Sequence, residues 1–112
     1  MGKIISIVNS LTVAAGTSNT ISVYRPVGGK KAVVRKVKVY FPVGTENMLQ
    51  VAIYHGIAQV IPKQGVISGD GCWVEVEADE EYISDEEIKL WYNNTDTVNN
   101  HTMVYVLIIE LI

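Results

Sequence analysis

The stretch that decides the fold is HTMVYVLIIELI, residues 101–112. Read as one extended strand, it spans roughly 40 Å at about 3.3 Å per residue. Val104, Val106 and Ile108 fall on one face, and Met103, Tyr105, Leu107, Ile109 and Leu111 on the other. A half-buried strand alternates apolar and polar residues. This one stays apolar on both sides until Glu110. The pattern predicts a central strand with a second sheet on one face, and a loop, a helix or another subunit on the other.

The segments upstream read as shorter strands separated by turns. Residues 4–8 form a first strand, Asn9-Ser10 a break, and residues 11–14 a resumption. Residues 20–25 alternate after the turn-like AGTSN at 15–19, and PVGGK at 26–30 turns the chain again. Residues 32–41 are the clearest half-buried strand. Val33, Val37, Val39 and Phe41 are expected inward, interrupted by Arg35, with Lys36, Lys38 and Tyr40 outward. Residues 48–55 alternate after a hairpin-sized gap.

A short strand at 58–61 is stopped by Pro62, and another lies between Lys63-Gln64-Gly65 and Ser68-Gly69-Asp70-Gly71. Residues 72–78 set Val74, Val76 and Ala78 against Trp73, Glu75 and Glu77. Residues 84–87, SDEE, match a capping box and are read as one helical turn or an acidic turn. Residues 88–92 are a further strand, and NNTDTVNN at 93–100 is a polar loop. Two glycosylation-type triplets in and beside it, at Asn93 and Asn100, mark the loop as exposed.

About eight strands at near ten-residue spacing, without a useful helix, predict an all-β antiparallel β-sandwich or small barrel. At 112 residues the chain is read as a single domain, 1–112. Apolar residues make up 48% and charged residues 19%, which places it among globular chains. The single cysteine, Cys72, excludes an intrachain disulfide.

Net charge is −3, but the charges are separated. Six of nine basic residues lie between positions 25 and 38, and eight of twelve acids between 75 and 87. Lys36, Lys38, Glu75 and Glu77 are therefore candidates for oligomer contact by charge, against the alternative of two solvated faces. The acidic balance and the short basic block argue against nucleic acid. No apolar run is long enough for a membrane-spanning helix. Asn9 and Ser10 interrupt the first apolar run, so no cleaved leader is expected. Gly2 and Ser6 fit an acylation pattern, but a retained Met1 argues against it.

No catalytic constellation emerges. Neither His55 nor His101 has zinc-ligand spacing. His55 is expected as a packed residue at a strand end and His101 as exposed. Cys72 is expected as a buried thiol without a nucleophile signature. No hydrolase elbow, phosphate loop or dinucleotide fingerprint is present. Asp79-Glu80-Glu81 reads as solvated rather than as an acid/base pair. Asp70, Asp79, Glu80, Glu81 and Asp96 offer oxygens for calcium, but in no known ligand spacing. No metal or other cofactor is expected.

The noticeable side chains are aromatic. Trp73, Trp91, Tyr40 and Tyr54 all fall on the polar sides of their strands. They are read as an interface, as a stacking platform for sugars, or as residues covered by loops of the same domain.

The whole-chain rhythm resembles the small jelly-roll modules of virus and phage particles. The segments that carry the likeness are AGT at 15–17, VKVYFP at 37–42 and DEEIKLWYNN at 85–94. The resemblance implies a jelly-roll sandwich in a non-enzymatic, self-associating particle component: a capsid, decoration or fibre protein, located on a virion or extracellular surface. Its partner would be its own copies or a particle surface. The alternative is a carbohydrate-binding module or adhesin that uses the outward aromatics.

Overall fold

Residues 101–111 are one strand, and it lies inside a sheet. The computed structural model describes residues 2–112; Met1, on which the acylation expectation turns, lies outside them. Eight strands are present: β1 (Lys3–Val13), β2 (Ser18–Tyr24), β3 (Ala32–Phe41), β4 (Leu49–His55), β5 (Ala58–Ile61), β6 (Cys72–Tyr82), β7 (Ile88–Asn94) and β8 (His101–Leu111). They form two four-stranded antiparallel sheets, ordered β1-β8-β3-β6 and β2-β7-β4-β5. Apart from the β4–β5 hairpin, every connection crosses from one sheet to the other. This is the two-sheet jelly roll: the strand rhythm predicts a sandwich or small barrel, and the resemblance to virus-particle modules implies the jelly roll.

The core is the space between the sheets. Phe41, Leu49, Ile53, Leu90, Leu107 and Ile109 are fully buried in it. Period-two alternation puts them there: one face of each strand points into the sandwich. Tyr82 closes one end of the core, where its hydroxyl donates to the Tyr54 carbonyl at 2.9 Å.

Several local expectations are corrected. β1 is unbroken, because Asn9 stays extended and its side-chain oxygen accepts the Ser10 N–H at 2.9 Å. β3 carries a bulge between Val34 and Lys36. The extra residue flips the parity upstream. Val34, opposite Ile109, is therefore the inward residue, and Val33, opposite Glu110, faces outward. β6 continues through Asp79-Glu80-Glu81 to Tyr82, since pairing with β3 keeps this acidic run extended. Of the two readings of residues 84–87, the structure takes the acidic turn, with Asp85 at φ +73°. The expected strand near residue 67 is a single bridge to Val51. Asn93 and Asn94 belong to β7.

β8 is central, between β1 and β3. Met103, Tyr105, Leu107 and Ile109 are buried between the sheets. Val104, Val106 and Ile108 are half-buried on the outside, with no second layer among the described residues over them.

Candidate interaction surfaces

The two sheets present different outer faces. Register places Val8, Val106, Lys38 and Glu75 in one row across β1-β8-β3-β6, and Ser10, Val104, Tyr40 and Trp73 in the next. Ile4 and Val8 are 58% and 62% exposed, and Trp73 is 50% exposed. An apolar band therefore runs along β1 and β8, with an aromatic pair at one end. Charges flank it on the β3 and β6 side. The outer face of β2-β7-β4 is polar by contrast. Ser18, Asn93 and Gln50 form one row, and Thr20, Trp91 and Ala52 another.

The four aromatics singled out from sequence form two pairs. Tyr40 and Trp73 are cross-strand neighbours on the first sheet, with ring centroids 5.3 Å apart and Lys38 Nζ 5.6 Å from the Trp73 ring. Tyr54 and Trp91 are diagonal neighbours on the second, at 6.5 Å. They occupy opposite outer surfaces of the sandwich. The fold brings each tryptophan to a tyrosine and does not bring the two tryptophans together.

The two charge blocks are adjacent, because β3 pairs with β6. Lys36 and Lys38 reach the Glu75 carboxylate at 3.7 and 3.5 Å within the same chain. Glu77 lies opposite Lys36 in the register. At the β3 bulge, Arg35 binds Glu110 through Nε and Nη2 at 3.0 and 2.6 Å, and Asp79 through Nη1 at 2.6 Å. The Glu110 carboxylate is held below its ordinary range, chiefly by that guanidinium.

The structure forms two histidine–carboxylate groups that the sequence reading missed. His55 ends β4 with Nδ1 2.8 Å from Glu80 and Nε2 2.9 Å from Glu86. A carboxylate beside each ring nitrogen favours the doubly protonated ring, which can donate to both. Burial works against that charge, but the bonds to Glu80 and Glu86 outweigh it and raise the His55 pKa. The same burial, with Glu80 and Glu86 nearby, pushes the Tyr82 hydroxyl up. Arg25, Asp85, Glu87 and Lys89 line the shallow cleft of about 350 Å³ beside the ring.

His101 is not exposed as expected. Its Nε2 lies 2.9 Å from Asp96 Oδ2, in the loop before β8. Asp96 also accepts the backbone N–H groups of Val98 and Asn99 and the Asn99 side-chain amide. The Val98 N–H and the His101 bond lead in lowering its pKa to about 2. The Asn94 amide, buried, donates to the carbonyls of Val13, Ala14 and Asn99. The polar loop is thus tied down by two of its own side chains, although Thr95 and residues 97–100 remain exposed.

Cys72 is exposed, not buried, at the start of β6. Asp70 accepts the backbone N–H groups of Gly44 and Glu46, Asp79 binds Arg35, and Glu80 binds His55. The candidate calcium oxygens are therefore dispersed among separate partners. Among the described residues no three His, Cys, Asp or Glu side chains converge as metal ligands. A second cleft, of about 320 Å³, opens between β5 and β6 over Val60, Pro62, Val76 and Ala78, with Lys63 and Glu77 at its rim.

No family model matches the chain, and no curated protein matches it. Solved structures do. The chain is similar to one from the cyanophage Pam1 capsid asymmetric unit, with a TM-score of 0.60 at 10% identity over 97% of this chain and 85% of that one. It is similar to a chain of an archaeal virus described by its triple jelly roll fold and turret assembly, at TM-score 0.60 and 14% identity. There it covers 97% of this chain and spans 29% of the other. A chain of the acid-stable capsid of Helicobacter pylori bacteriophage KHP30 matches at TM-score 0.53 and 12% identity, over 100% of this chain and 97% of that one. The chain shares the jelly-roll fold of these viral capsid structures.

Proposed function

We propose that this chain is a non-enzymatic structural component of a virus particle, a capsid, decoration or fibre subunit that associates with its own copies or with the particle surface. The observation that carries the reading is the apolar strip on the outer face of the β1-β8-β3-β6 sheet, broken by Ser6 and Ser10 and flanked by the charges of β3 and β6. Ile4, Val8, Val104, Val106 and Ile108 share it with Tyr40 and Trp73. Contiguous exposed apolar surface on a small domain marks contacts, and Trp and Tyr are the usual anchors of such contacts. The capsid setting of the structures that share the fold supports a particle as the place where the face is covered.

The test is electron microscopy of the purified chain together with its mass in solution. Regular oligomers or shells, lost on Trp73→Ala, support the reading. A chain that stays single at every concentration and ignores a purified particle opposes it.

A second reading is a sugar-binding module. The Trp91–Tyr54 pair on the polar face, amid Thr20, Gln50 and Asn93, favours it. A glycan array that responds to Trp91→Ala would support it, and an array without hits would remove it.

A further inference from the structure

The four sheet edges are not alike. β6 sets Glu75, Glu77 and Glu81 along its outer face. β5 is four residues long and runs into Pro62. β2 has a register break between Ser22 and Tyr24. Charge, brevity, proline and bulges are the means by which proteins blunt a strand edge. β1 has none of them beyond Lys3 at its start. It pairs with β8 in unbroken register over eleven residues, and it carries no charge from Ile4 to Val13.

The orientation of its backbone can be read from two contacts. Ser10 N–H bonds to the Asn9 side chain rather than to β8. Thr12 and Thr102 bring their hydroxyls to 2.9 Å, as the closer side chains of a non-hydrogen-bonded pair allow. Even-numbered residues therefore turn their N–H and C=O groups to the outer edge. That edge offers the peptide groups of Ile4, Ser6, Val8 and Thr12 and the Ser10 carbonyl, while Asn9 holds the Ser10 N–H, and no strand of the described residues takes them.

We propose that β1 pairs edge to edge with β1 of a second copy, antiparallel about Val8, joining two four-stranded sheets into one of eight. The inference rests on the self-association reading and names its surface. Val8 is the midpoint of Lys3–Val13, so this register gives the greatest overlap. It sets Val8 against Val8, Ser6 against Ser10 and Ile4 against Thr12 on the outer side. On the inner side it sets Ile5 against Leu11. Lys3 faces Val13, so no like charges meet. The pairing is self-complementary under a two-fold axis, as an isologous contact requires. β6 of a second copy is a worse occupant, since its outward acids would be drawn from water beside an uncharged strand.

The experiment is light scattering behind a sizing column at low and high salt, with amide exchange on the oligomer. The wild-type chain is expected at twice the single-chain mass or a multiple of it, unchanged by salt, with slow exchange at Ser6 and Val8. Val8→Lys sets two ammonium groups opposite each other and is expected to return the single-chain mass with the fold intact. Ser6→Pro is the second variant: it removes an N–H that β8 does not use and should likewise remove the β1 pair. Trp73→Ala, on the sheet face and away from the edge, should take larger assemblies down only as far as the β1-paired dimer, at twice the single-chain mass. Oligomers that survive both β1 variants, or that exchange Ser6 and Val8 amides freely, overturn the pairing while leaving self-association standing. A wild-type chain of single mass throughout overturns both.

Discussion

His55 of β4 stacks on Tyr82 of β6, with ring centroids 4.1 Å apart, and so ties one sheet to the other. Its two nitrogens are held by Glu80 of β6 and by Glu86 in the turn before β7. The clasp joins segments that are remote in sequence, and it favours the protonated ring. Because the folded pKa of His55 lies above the ordinary 6.5, its contribution is complete below that value. It is lost as pH rises through the raised folded value. The melting temperature should therefore fall as pH rises above 6.5, and His55→Gln should flatten that arm. A wild-type profile without the decline would remove the clasp as a source of stability.

The acid side follows the opposite sign. Glu86 is lowered by its His55 bond and then by the Ile83 N–H, and Asp96 is lowered to about 2. Groups with depressed values stabilise the fold above their ordinary range and lose that effect as pH falls through the folded value. The Asp96 contribution should persist below pH 3.8 and fade toward about pH 2. Asp96→Asn should move the onset of acid unfolding to higher pH. It should also speed amide exchange at Val98 and Asn99, whose N–H groups the carboxylate holds.

The two faces of β8 should separate stability from assembly. Leu107 is fully buried, so Leu107→Ala should cost about 2–5 kcal/mol in denaturant unfolding. Val106, one residue earlier on the outer face, should cost within about 0.5 kcal/mol of nothing as Val106→Ser. The second change should instead weaken oligomers. Equal destabilisation by both would mean that the outer face is covered within the chain.

The aromatic pairs can be tested apart because they lie on opposite sheets. Trp73→Ala should lower assembly and leave glycan binding untouched. Trp91→Ala reports on the polar face alone. Each loses a ring contact worth about 0.5–1.5 kcal/mol, so both variants should remain folded by circular dichroism. Loss of assembly on Trp91→Ala but not on Trp73→Ala would move the interface to the other sheet.

The antiparallel β-sandwich was legible because strand periodicity and turn chemistry are local, and the resemblance to virus-particle modules narrowed it to a jelly roll. The spacing of eight apolar segments, and the double-faced pattern at Val104–Ile109, carried the reading. What escaped depends on partners far along the chain. Asn9-Ser10 reads as a break by composition, yet β8 holds both residues extended. Val33 reads as inward, and only the bulge next to Arg35 reverses it. Asp79-Glu80-Glu81 reads as a solvated run, because nothing local shows that Arg35 and His55 await two of its carboxylates. His101 was the nearest miss: Asp96 lies five residues before it, and an Asx-type turn between them was the available signal. The aromatic candidates were visible from strand parity, but their division between two sheets follows from strand order.

The most direct test of the account is the mass of the purified chain by light scattering over a wide concentration range, with Val106→Ser and Trp73→Ala measured alongside. The account predicts a stable multiple of the single-chain mass that both variants reduce without loss of the β-sheet spectrum. A monodisperse single chain at every concentration, unchanged by either variant, would contradict it.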